Sequence, residues 1–213
     1  MKLKIEKVEK KFKENIVLKD VNLEFESGKI YGFIGRNGSG KTVLLKMICG
    51  FYYPTSGRIL LDDYDYIDNN DFPKDTGALI EKPSFLPTLT GFENLKSLAK
   101  IQNKIDEEQI NDALKVVNLF DEKDKMYYKY SLGMKQKLGI AQAIMENQKL
   151  IILDEPFNGI ENETAEKLRE YFKKIKKDKI IIIATHIKED LVKLVDEIYE
   201  IDAGKITRLE KKK

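Results

Sequence analysis

Gly35-Arg36-Asn37-Gly38-Ser39-Gly40-Lys41-Thr42 is the stretch on which the fold turns. Its glycines, lysine and hydroxyl stand at the spacing of a loop that cradles phosphate. An apolar run, Ile30-Tyr31-Gly32-Phe33-Ile34, leads into it, and Val43, Leu44, Leu45, Met47 and Ile48 behind it repeat at a helical period. The loop therefore joins a buried strand to a helix start, the context this motif requires. Backbone N–H groups of the glycine-rich turn, together with the positive end of the helix dipole, can surround a phosphate chain without side-chain obstruction. Lys41 is placed to reach the terminal phosphates, and Thr42 to offer its hydroxyl to Mg²⁺.

The chain has 213 residues, enough to bury a core that folds unaided. Its 38 basic and 36 acidic residues leave a formal net charge of +2, spread along the length, which provides no electrostatic footprint for nucleic acid. Lysine outnumbers arginine 34 to 4, a bias of codon composition from which no function follows. Cys49 is the only cysteine, so no intrachain disulfide can form and a reducing compartment is expected. It lies among the apolar residues of the first helix, where a buried, inert thiol is expected. Met1-Lys-Leu-Lys-Ile-Glu6 alternates rather than opening as a leader, and no apolar run has bilayer-spanning length. A cytoplasmic protein is predicted, held at a membrane only through a partner.

On the N-terminal side, Leu3 and Ile5, then Val21, Leu23 and Phe25, alternate with charged residues as strands with one wet face, with Phe12 between them. Beyond the phosphate loop, Pro54-Thr-Ser-Gly57 breaks the chain and Arg58 to Leu61 reads as a strand. Asp62 to Asp71 reads as a solvated loop, and Thr76 to Ile80 as a strand ended by Glu81-Lys-Pro83. From Gly91 to about Met145 the spacing turns helical, closing on a helix that Ser131 is placed to cap. Strand and helix then alternate, which implies parallel strands and crossovers. Leu150 to Leu153 delivers Asp154-Glu155. A charged helix covers Thr164 to Ile175, and Ile180 to Ile183 delivers Ala184-Thr185-His186. A short helix over Lys188 to Val195, a strand near Ile198 and a turn at Gly204 finish the fold, and Lys211 to Lys213 reads as a frayed end.

Two strand ends thus converge on the phosphate loop, as parallel strands do when their carboxyl ends face a ligand. Asp154 is positioned to hold Mg²⁺ through its water shell. Glu155, next to it, can orient and deprotonate an attacking water.

In this order the motifs resemble those of the ATP-binding subunits of ABC transporters, over nearly the whole chain to His186. Gly35 to Thr42 is similar to that family's Walker A, Leu150 to Asp154 to its Walker B, and Glu155 to its catalytic glutamate. Ser131 and Gly133 resemble its signature segment, His186 its switch histidine, and Phe12 its adenine-stacking aromatic. The resemblance implies an α/β P-loop core with a mainly parallel sheet, residues 1–87 and 147–213, plus an N-terminal antiparallel β subdomain and an inserted helical subdomain over 88–146. It implies ATP and Mg²⁺ as ligands. Nucleotide contacts come from Phe12, Gly35, Asn37, Gly38, Ser39, Gly40, Lys41, Thr42, Thr185, Ser131 and Gly133. The metal would sit on Thr42, Asp154 and Glu81, with Lys41, Glu155 and His186 serving catalysis. It further implies a head-to-tail homodimer, or a heterodimer with a similar subunit, in which Ser131 of one copy completes the site on Lys41 of the other. A separate permease would dock near Phe85 to Phe92, holding the subunit at the inner face of the cell membrane.

Four residues depart from the common family pattern: Glu81 in place of a glutamine, Leu132 in place of a glycine, Met134 in place of a glutamine, and Glu161 in place of an aspartate. Glu161 and the Ser131-Leu-Gly-Met-Lys-Gln136 run are similar to those of exporters of peptide antibiotics, the bacitracin and lantibiotic systems. Two other readings exist. Asn103-Lys-Ile-Asp106 copies the guanine-reading element of small GTPases, but it follows a helical stretch rather than a strand. A soluble ABC-type ATPase of translation or DNA repair would usually carry paired cassettes or long insertions, and this chain has one cassette.

Overall fold

The computed structural model describes residues 1–210; the expected frayed end at Lys211 to Lys213 lies outside the described residues. Strand β1 (Lys2–Phe12) turns directly into β2 (Asn15–Glu26), pairing antiparallel from Lys2 opposite Glu26 to Phe12 opposite Asn15. The two N-terminal runs are therefore one long hairpin, and Phe12, expected between them, sits at its tip. β4 (Ser56–Leu61) adds on the far side of β1, with Leu3 opposite Leu61. Leu3, Ile5, Val21, Phe25, Ile59 and Leu61 point inward from this three-stranded sheet. A Cβ at Gly57 would stand 2.4 Å from the Lys7 carbonyl, so only glycine fits there beside the bulge in β1.

The second sheet runs β5 (Thr76–Leu79), β6 (Leu150–Asp154), β7 (Ile180–Thr185), β3 (Lys29–Ile34), β8 (Glu197–Asp202), β9 (Lys205–Leu209). All neighbours are parallel except β8 with β9. Both faces are covered, which is why its central strands are unbroken apolar runs. Ile181, Ile183, Ile151 and Leu153 face one core, packed with the helices α2 (Gly91–Gln102), α3 (Glu107–Val116), α4 (Leu132–Ile144) and α5 (Asn162–Ile175). Ile180, Ile182, Leu150 and Ile152 face the other, shared with α1 (Lys41–Ile48) and the antiparallel sheet. Each fully buried Ile or Leu contributes about 1.5–3 kcal/mol, so this double burial fixes the centre of the molecule.

Three expectations are corrected. Asp62 to Asp71 is not simply solvated: Tyr66 is fully buried and its hydroxyl donates to the Ile48 carbonyl at 2.7 Å, tying the loop to the end of α1. The helix expected to Val195 is α6, Lys188–Val192; beyond it Leu194 and Val195 both donate to the Leu191 carbonyl in a closing turn. The chain does not finish at the Gly204 turn but returns as β9. Phe85, expected at a docking face, packs edge-on against Tyr127 at 5.4 Å, while its neighbour Leu86 is exposed.

Candidate functional site

The parallel strands β3, β7 and β6 end side by side, with Ile34 opposite Thr185 and Ala184 opposite Asp154. From these ends the loop 35–40, Glu155 and His186 project to one edge of the sheet. Gly35 must be glycine, since a Cβ would lie 2.5 Å from the Ile201 carbonyl and 2.6 Å from Ser39 Oγ. Gly40 caps α1 at φ 108°, and no side chain bonds to that helix end among the described residues. The first-turn N–H groups are thus left for an anion. Ser39 Oγ is buried without a hydrogen-bond partner among the described residues, a second sign that this loop is shaped around something polar.

Lys41, only 5% exposed, folds back so that Nζ donates to the carbonyls of Gly35 (2.6 Å) and Arg36 (3.2 Å). Burial pushes its pKa down, opposed by the nearby Glu155 and Asp154 carboxylates. Thr42 Oγ1 donates to Asp154 Oδ2 at 2.6 Å. Burial pushes the Asp154 carboxyl up, and the Thr42 hydrogen bond opposes it. A threonine hydroxyl and a carboxylate this close form an all-oxygen donor set suited to a hard cation such as Mg²⁺.

Glu155 is held from four directions. Its N–H donates to Ala184 O (2.8 Å), and its own carbonyl accepts from Gln136 Nε2 (2.9 Å). Oε2 accepts from Thr185 Oγ1 (2.9 Å), and Oε1 lies 2.8 Å from His186 Nδ1. Its φ is 50°, a left-handed conformation uncommon outside glycine, which these bonds sustain. The 2.8 Å contact suits a proton on His186 Nδ1 donated to the carboxylate, on a ring that is otherwise exposed. Thr185 also accepts from Ile187 N–H at 3.1 Å, so its single proton is committed to Glu155. Thr185, expected as a nucleotide contact, braces the carboxylate.

A cavity of about 930 Å³ opens over these groups. Phe12, Asn37, Gly38, Gly40, Lys41, Thr42, Glu81, Asp154 and Glu155 line it, as does Gln136, which the sequence reading quoted but gave no role. Phe12 is 41% exposed at its rim, edge-on to Tyr52 at 5.5 Å with Lys10 Nζ 4.7 Å from its centre. Val17 and Val43 widen the apolar part; both had the apolar character to be noticed, but nothing in their spacing pointed to a site.

The remaining expected residues make other contacts. Glu81 lies on the cavity wall, but its carboxylate pairs with Lys46 Nζ at 2.9 Å and not with Thr42 or Asp154. Ser131 caps α4 by accepting from Met134 N–H at 3.2 Å, and Gly133 lies against the Gly159 carbonyl, where a Cβ would come to 2.3 Å. Neither lines the cavity above Lys41, although Leu132 between them does. Glu161 pairs with the buried Lys137 at 2.6 Å. Asn103 and Asp106 are not a base reader: Asn103 ends α2 in a left-handed conformation, and Asp106 caps α3.

The sequence pattern of the ABC transporter family matches residues 18–158, from the second strand past Glu155. The bacitracin transport ATP-binding protein BcrA of Enterococcus faecalis is 38% identical over 205 residues, covering 95% of this chain and 67% of that protein. The uncharacterized ABC transporter ATP-binding protein YybJ of Bacillus subtilis is 39% identical, covering 95% of this chain and 93% of its own length. The lantibiotic transport ATP-binding protein SrtF of Streptococcus pyogenes is 35% identical, covering 96% and 88%. A solved ATP-binding subunit of an ABC transporter superposes with a TM-score of 0.87 at 26% identity, covering 98% of this chain and 90% of that one. A dimeric ATP-binding cassette bound to ADP and Pi shares the fold, with a TM-score of 0.87 at 24% identity over 99% of each chain. With the family pattern spanning well over half its length and such relatives aligned along nearly all of it, the chain belongs to the ABC transporter family, among its ATP-binding proteins.

Proposed function

We propose that the protein binds Mg·ATP in the cavity over Lys41 and hydrolyses it to drive a separate membrane permease that exports an antimicrobial peptide or drug. The observation that carries this reading is the meeting of three groups at one cavity: the uncapped phosphate loop with Lys41, the Thr42–Asp154 oxygen pair, and Glu155 braced by Thr185 and His186. Lys41 exchanges the Gly35 and Arg36 carbonyls for the terminal phosphates, and the loop N–H groups bind the same anion. Thr42 and Asp154 hold Mg²⁺, which when bound neutralises charge on the phosphates. Glu155 orients the attacking water and takes its proton, while His186 holds the carboxylate through Nδ1.

Phe12 supplies the face on which adenine stacks. The α4 N-terminus, capped by Ser131 and exposed at Leu132, suits a head-to-tail dimer in which it meets the nucleotide of a partner copy, together with Gly133. No helix among the described residues is long and apolar enough to cross a membrane, which favours action through a permease at the inner face. The names of BcrA and SrtF favour bacitracin- or lantibiotic-like peptides as cargo.

Glu155→Gln tests this directly. The variant should bind ATP with parent affinity and lose about 10²–10⁴-fold in turnover, the usual worth of a general base. Hydrolysis at the parent rate removes Glu155 from that role.

A further inference from the structure

Hydrogen bonding between β6 and β7 ends at Asp154 opposite Ala184, with one further bond from Glu155 N–H. The two segments beyond, which carry Glu155 and His186, must keep their 2.8 Å contact without further sheet pairing. One side chain reaches both segments. Arg169, on α5 and only 12% exposed at its side chain, lays its guanidinium over the Phe157 ring at 4.5 Å. Phe157 is two residues past Glu155 and buried. The same guanidinium donates through Nη2 to Asp190 Oδ1 at 2.8 Å, and Asp190, four residues past His186, is also largely buried at 15%. Nη1 bonds to the exposed Glu166 at 2.8 Å, so both ends of the fork are occupied.

We propose that Arg169 is a positioning residue: it clamps the segment after Glu155 to the segment after His186 and so sets the hydrogen bond between them. A planar fork is needed, because one face must stack on the ring while the edge bonds to a carboxylate, and lysine cannot do both. Arg169 does not line the nucleotide cavity, so the clamp acts on turnover and not on ATP affinity. The inference rests on the assignment of Glu155 and His186 to hydrolysis.

His186 is the only histidine in the chain, so its imidazole ¹⁵N signals are unambiguous. In the full parent chain they should report one tautomer, protonated at Nδ1. In Arg169→Met and Arg169→Lys they should report a mixture, kcat should fall about ten- to a hundredfold, and KM for ATP should stay within about twofold. Asp190→Asn and Phe157→Leu, each cutting one arm, should move the same signals the same way; they decide the matter if Arg169→Met does not fold. A folded Arg169→Met with the parent tautomer and the parent kcat overturns the clamp. Parent turnover in Glu155→Gln would instead sink the assignment beneath it, so the two failures are distinguishable.

Discussion

Lys41 and Cys49, eight residues apart, show how burial acts differently on two groups. Lys41 is buried with the loop carbonyls as partners, and burial lowers its pKa, so its charge is costly until an anion arrives. Nucleotide therefore stabilises the site as well as being held by it. Cys49 is 4% exposed with no charge nearby to help, and burial raises its thiol from 9.0 to about 12. The folded chain thus holds a proton that the unfolded chain releases, so this residue's contribution to stability is complete below the unfolded thiol pKa and is lost as pH rises toward about 12. Iodoacetamide should leave Cys49 unlabelled in the native protein at mildly alkaline pH and label it on unfolding, as read by mass spectrometry. Rapid labelling of the folded chain contradicts this burial.

Among elements, the contact of α4 with β5 is the least forgiving. A Cβ at Gly77 would come within 1.9 Å of the Ala143 carbonyl, and one at Gly139 within 2.7 Å of Leu79 Cδ1, so helix and strand touch through glycines on both sides. Gly77→Ala should push α4 off the sheet and cost at least about 1–3 kcal/mol, visible as a lowered Tm. An unchanged Tm would mean that the contact can open without cost. The same scale shows what the sequence could express. Ile180 to Ile183 and Leu150 to Leu153 were legible because strands buried on both faces must be apolar throughout. β9 was not, because Lys205-Ile-Thr-Arg-Leu209 is an exposed edge with two half-buried side chains. Tyr66 was hidden for another reason: in the acidic run it looks no different from the exposed Tyr64, and its burial depends on Ile48 from a different element. In the site, the phosphate loop and Asp154 could be read because their spacing is local. The bonds of Thr185 to Glu155, Glu81 to Lys46 and Gln136 to the Glu155 carbonyl could not, because each depends on how distant segments meet.

At the scale of the whole molecule, the start of α4 comes to the rim of the cavity that holds Lys41, Asp154 and Glu155: Leu132 and Gln136 line it, while Ser131 and Gly133 on either side of Leu132 do not. On the proposed head-to-tail dimer, hydrolysis is expected to need two copies, each closing the other's site and excluding water from it. Asn37 is exposed in the phosphate loop, and Leu132, 66% exposed, begins α4 beside Ser131. Single-cysteine chains Asn37→Cys and Leu132→Cys, both in a Glu155→Gln and Cys49→Ser background, can be mixed and oxidised with and without saturating ATP and Mg²⁺. A disulfide needs the two Cα atoms within about 7 Å, so only direct apposition across copies would register. A covalent dimer that forms in the mixture with ATP, and is absent without nucleotide, is the predicted result. No mixed disulfide at saturating ATP, or equal yield with and without it, would contradict the account.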